Sequence, residues 1–89
     1  MGIFLVTPID KPELAISAVK FILRDDAYSI PGSNSLIVSY PGTAKELSAR
    51  LGLTTGENGM TGIVVGISEY SGKVPADIED WIQSKNALG

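Results

Sequence analysis

The chain of 89 residues contains no cysteine and no histidine. Without cysteine there is no disulfide framework, zinc ribbon, thiolate nucleophile or iron–sulfur cluster. Without histidine the Ser-His-Asp and Cys-His arrangements fall away, as do imidazole metal ligation and the usual proton shuttle near neutral pH. Any catalysis is left to carboxylates, lysine, tyrosine, hydroxyls or a hard, oxygen-ligated cation such as magnesium. Charge is sparse as well: 19% of the residues are Asp, Glu, Lys or Arg, against about 25% in an average domain. The balance is acidic, with a net charge of −3. Lys11, Lys20, Arg24, Lys45, Arg50, Lys73 and Lys85 are scattered along the chain, so the sequence holds no basic stripe to displace counterions from duplex nucleic acid. No apolar run approaches the ~18 residues of a membrane span, and residues 3–6 lack the basic leader and the length of a signal peptide. The expectation is a cytoplasmic protein with neither a membrane nor duplex nucleic acid as partner.

Hydrophobic residues make up 44% of the sequence, and ten glycines and five prolines punctuate it. That composition is globular and loop-rich. A chain of this size buries a little over ~60% of its unfolded surface, enough for one core. A single domain over residues 1–89 is therefore expected.

Residues 3–6 are continuously apolar, the pattern of a strand buried on both faces, and Pro8 is expected to stop it. Asp10 then stands as the expected N-cap of a helix, with Pro12 in the first turn and Glu13 at the capping-box position. Leu14, Ala15, Ala18, Val19, Phe21, Ile22 and Leu23 supply a broad apolar stripe to that helix. Residues 27–30 and 35–40 form two short strands across the turn Pro31-Gly32-Ser33-Asn34, with Leu36, Val38 and Tyr40 on one face. Thr43 and Glu46 make a capping box for a second helix carrying Ala44, Leu47, Ala49 and Leu51, and Gly52-Leu53 fits a left-handed C-terminal cap. A polar loop over 54–62 leads to the strand that begins at Ile63. Ser71-Gly72 turns the chain, and Pro75 opens a last helix over about 75–86, where Ile78, Trp81 and Ile82 share a face. The order is βαββαβ plus a C-terminal helix. Strand–helix–strand units repeated around a central hairpin predict an α+β fold of ferredoxin-like type, an antiparallel sheet with two helices on one face. The opposite face needs a cover, from the Trp81 helix or from a second subunit.

Three constellations carry possible chemistry. The 54–62 loop runs from helix to strand, the reverse of a phosphate-cradling loop, so its glycines alone argue for a connection. Its length still suits binding, and Arg50, Thr54, Thr55 and Asn58 are its candidate ligand-binding residues. Arg50 also stands four residues after Glu46, where the two could simply pair. Asp77 and Asp80 could share a helix face as magnesium ligands, or merely complement the helix dipole. Tyr28, Tyr40, Tyr70 and Trp81 could stack bases, or anchor a core or an interface; Tyr70, Ile78, Trp81 and Ile82 are the interface candidates.

The stretch over 28–40, the Gly42-Thr43-Ala44-Lys45-Glu46-Leu47 helix start that leads to Leu53, and Gly62-Ile63-Val64-Val65-Gly66-Ile67 together resemble the small proteins related to the CRISPR-adaptation nucleases, among them the SinR-like ones. The resemblance covers about three-quarters of the chain. It implies a ferredoxin-like fold, homodimers and, in some members, metal-dependent cleavage of nucleic acid. Active members of that family carry an acidic residue at the end of the first strand. The nearest counterpart here is Asp10, displaced past Thr7-Pro8-Ile9 into the expected helix cap, and a helix stands where those members exchange a C-terminal strand. The expectation carried forward is a non-catalytic, homo-oligomeric binding protein of phage or mobile-element style that uses no cofactor. Its partners are a second copy of itself and either a host protein or a signalling nucleotide. The alternatives are a magnesium-dependent nuclease using Asp10, and a structural assembly subunit.

Overall fold

A computed structural model describes residues 2–69 and 76–88. Strand β1 (Gly2–Asp10) leads into helix α1 (Pro12–Leu23); strands β2 (Ala27–Ser29) and β3 (Leu36–Tyr40) form a hairpin; helix α2 (Ala44–Arg50) precedes strand β4 (Thr61–Ile67), and helix α3 (Ala76–Leu88) closes the chain. The four strands make one antiparallel sheet in the order β2-β3-β1-β4. Each of the first two helices joins strands that run the same way with a third strand between them, so α1 and α2 cross the sheet rather than flank it.

The alternation of side chains along each strand divides the interior in two. Phe4 and Val6 of β1, Leu36, Val38 and Tyr40 of β3, and Val64 of β4 face α1 and α2, where Ala15, Val19, Leu23, Leu47, Leu51, Leu53 and Met60 complete the main core. Ile3 and Ile37 point the other way and are buried by Ile78 and Ile82 of α3, with Leu5, Tyr28, Ile30, Ile67 and Trp81 around them. The second face of the sheet is thus covered by the chain's own last helix around Ile3, Ile37 and Ile67, and left open at Ile63 and Val65 of β4. The interface candidates Ile78 and Ile82 lie inside the protomer and Trp81 is half-buried there. Tyr70, the Ser71-Gly72 turn and Pro75 lie outside the described residues.

Several local expectations are corrected. Pro8 does not stop β1, which runs on to Asp10. Pairing with β3 ends at Val6, so at Pro8 the strand has only β4 beside it, and a register shift follows between Pro8 and Asp10. An edge and a bulge are the two places where a strand tolerates proline. Gly62, opposite Pro8, has no room for a side chain: a Cβ there would stand 2.9 Å from the Thr7 carbonyl oxygen. Asp10 does not cap α1. The N-cap is Lys11, in the left-handed region at φ 55° with no side-chain cap hydrogen bond; the Pro12 ring disfavours the right-handed helical conformation for the residue before it. The stripe on α1 is narrower than the sequence suggests. Phe21 sits about 200° around the helix from Val19 and is 78% exposed, while Leu14 is exposed beside the covered face. On α2, Ala49 likewise faces solvent.

Candidate functional site

The loop after α2 is a built structure. Thr43 caps the helix: its hydroxyl accepts from the Glu46 amide at 3.1 Å, and the Glu46 carboxylate accepts from the Thr43 amide at 3.1 Å. At the far end Gly52 adopts φ 84°, which lets its amide donate to the Ala49 carbonyl at 3.1 Å and the Leu53 amide to the Ser48 carbonyl at 3.0 Å. This is the Schellman closure, with Leu53 buried as its hydrophobic contact. Ser48 and Thr54 hydroxyls meet at 2.9 Å. A short 3-10 turn over Glu57–Gly59 then brings in Met60, which is buried in the main core. Leu51, Leu53 and Met60 therefore anchor both ends of a loop that turns its polar groups outward.

Of the four ligand-binding candidates, all exposed, Arg50 is the last residue of α2, Thr54 is tied to Ser48, and the Thr55 hydroxyl makes a long 3.5 Å donation to the Gly52 carbonyl. Asn58 stands at φ 55°, φ/ψ space that Asn enters more readily than most residues. Arg50 does not pair with Glu46, whose carboxylate is engaged at the helix cap. Among the described residues neither the Arg50 guanidinium nor the Asn58 amide makes a side-chain hydrogen bond, and the one ion pair is Lys85–Asp26 at 2.8 Å.

Asp10 lies at the same end of the sheet. Its carboxylate Oδ2 accepts from the Thr61 hydroxyl at 2.9 Å, and the Thr61 Oγ1 in turn accepts from the Asp10 amide at 3.1 Å. The pair stitches the last residue of β1 to the first of β4 across the bulge. Among the described residues no three acidic side chains gather into a metal-binding group, at Asp10 or at Asp77 and Asp80.

Of the aromatic candidates, Tyr28, Tyr40 and Trp81 pack within the protomer. Tyr40 meets Phe4 edge-on in the main core with ring centroids 6.5 Å apart. Tyr28 packs on Trp81 at 6.1 Å, and the Lys85 ammonium lies 5.7 Å from the centre of the Trp81 ring while it pairs with Asp26. These contacts fasten α3 to the β2 side of the sheet. Sequence reasoning passed over Ser39. It lies on β3 opposite Ile3, fully buried, and its hydroxyl has no hydrogen-bond partner among the described residues. Alternation with Val38 and Tyr40 puts it on the other face of the sheet, where a polar residue reads as solvent-facing; its burial comes from the α3 side of the sheet and has no signal in the sequence. No helix among the described residues is long and apolar enough to cross a membrane. Comparison with protein-family models, with curated proteins and with solved structures finds no match for the chain.

Proposed function

We propose that this chain is a ferredoxin-like, non-catalytic, homo-oligomeric binding module that takes a phosphorylated ligand of the signalling-nucleotide class at the loop following α2. The element order and the strand order β2-β3-β1-β4 support the ferredoxin-like reading. The binding reading rests on one observation: a loop clamped at both ends by Leu51, Leu53 and Met60 holds Arg50 and Asn58 exposed and without side-chain partners among the described residues. A planar guanidinium on a pre-ordered frame suits phosphate or carboxylate oxygens, and a rigid site loses less entropy on binding.

Calorimetric titration of the chain with cyclic di- and oligonucleotides tests this. The expected result is binding that weakens at least about tenfold, roughly 1.4 kcal/mol, in both Arg50→Ala and Asn58→Ala, with thermal stability unchanged in Arg50→Ala and somewhat lowered in Asn58→Ala, because alanine adopts the φ of 55° at that position less readily than asparagine. Equal affinity in both variants would make the loop a mere connection. Absence of binding across the panel would remove the nucleotide and leave a protein partner as the ligand.

A second reading, a magnesium-dependent nuclease using Asp10, has one observation in its favour: Asp10 is the last residue of β1. Magnesium takes one or two carboxylates together with waters and substrate phosphates, and Asp10 offers one such carboxylate. Cleavage of labelled RNA or DNA that vanishes in a folded Asp10→Ala variant would put this reading first.

A further inference from the structure

Strand β4 stands at the margin of the sheet, and its outer edge pairs with nothing among the described residues. Natural edges are usually blunted by lysine, proline, a bulge or a covering element. The seven residues Thr61–Ile67 contain neither charge nor proline, and their register with β1 is regular from Ile67 to Gly62. On the sheet face that α3 shields at its Ile3–Ile67 end, β4 leaves Ile63 55% and Val65 43% exposed. These two stand beside Thr7 and Leu5 of β1. An apolar strip therefore runs along an unprotected edge.

The same seven residues are self-complementary. Placed antiparallel to itself about Val64, Thr-Gly-Ile-Val-Val-Gly-Ile sets Gly62 opposite Gly66, Ile63 opposite Val65, and Thr61 opposite Ile67. Both Ile63–Val65 pairs then fall on the open face as directly opposed β-branched pairs, a favourable cross-strand combination. Continued two residues beyond Ile67, this register brings Glu69 level with Gly59 of the other copy. Lys11 reaches that point: its Cε is 3.9 Å from where a Gly59 Cβ would stand. Lys11 and Glu69 are both exposed. Asp10 lies at that end too, with its carboxylate already held by the Thr61 hydroxyl.

We infer that two copies of this chain join their β4 edges antiparallel about Val64 into a continuous eight-stranded sheet, with Lys11 of each copy facing Glu69 of the other. The inference deepens the homo-oligomeric part of the reading above and rests on it. A seven-residue strand is about 23 Å long at ~3.3 Å per residue. That is a short seam beside the roughly 800 Å² per partner of a standard interface, so the dimer belongs to the weak, micromolar class.

Sedimentation velocity from roughly 5 μM to roughly 500 μM, spanning the micromolar class, tests it. The wild-type chain is expected to move from the 9.4 kDa monomer to the dimer across this range, and Val65→Lys to remain monomeric throughout. Phe21→Ser, which alters the most exposed apolar residue on α1 instead, is expected to behave as wild type. Lys11→Glu and Glu69→Lys leave β4 itself untouched. Each is expected to weaken the dimer roughly three- to tenfold, and the double exchange to restore it. A dimer that survives Val65→Lys, or single and double charge exchanges that act alike, would overturn the edge pairing while leaving the chain homo-oligomeric. A wild-type monomer at every concentration would overturn the homo-oligomeric reading itself.

Discussion

Replacing Ile82 with alanine removes three carbons' worth of apolar side chain from the contact between α3 and the sheet. Ile82 is 4% exposed and packs with Ile3, Ile37 and Ile78. At about 0.8 kcal/mol per buried methylene the transfer loss alone is about 2.4 kcal/mol. Incomplete collapse of the cavity raises it, within the usual ~2–5 kcal/mol for such a truncation. A domain of 89 residues has a total stability of about 4–13 kcal/mol, so the loss is a large part of the whole. It corresponds to a fall of roughly 10–20 °C in melting temperature. Ile63→Ala is the matched control, the same chemical change at a half-exposed position, and should cost less than about 1 kcal/mol in the monomer. Urea unfolding followed by far-ultraviolet and tryptophan signals reads both. Trp81, the only tryptophan, sits on α3 itself, so its signal reports directly on the docked helix. If α3 is part of one cooperative unit, the two signals coincide and the denaturant slope is unchanged while the midpoint falls. An Ile82→Ala midpoint no lower than that of Ile63→Ala, or a tryptophan transition that precedes the loss of secondary structure, would refute the packing of α3 as an integral layer.

Thr43→Ala removes the hydroxyl that accepts from the Glu46 amide, leaves the backbone amide that donates to the Glu46 carboxylate, and should cost about 1 kcal/mol, with Thr43→Ser restoring most of it; urea midpoints decide. Ser39→Ala should be neutral or stabilise by up to about 1 kcal/mol, because it takes away a buried hydroxyl that has no partner among the described residues. A clear destabilisation in calorimetry would mean that the hydroxyl is paired after all.

Legibility followed the range of the forces involved. The α2 cap was readable at both ends, since Thr43, Glu46, Gly52 and Leu53 act within one or two turns. So was the division of β3 into faces, since pleat alternation is a property of the strand alone. Asp10 was misassigned for a long-range reason. As a short acid near a helix start it looks like a cap, but Thr61, fifty-one residues away, takes its carboxylate into the β1–β4 seam. The candidate loop was legible as a location and not as a geometry. Its exposed side chains follow from composition, whereas its rigidity comes from Met60 and Leu53 reaching into a core assembled by other elements.

By itself the sequence determined the element order, the caps of α2, the apolar strand faces and the exclusion of thiol and imidazole chemistry, because each depends on residue identity and near-neighbour spacing. Tertiary structure decided the rest. It chose which of two possible covers lies on the second sheet face, and it did so through α3, whose Ile78 and Ile82 bury Ile3 and Ile37 while Lys85 pairs with Asp26 and Trp81 packs on Tyr28. It also left Phe21, Ile63 and Val65 exposed. An apolar residue states only that burial would be favourable; whether a surface is there to bury it is settled by how distant segments pack.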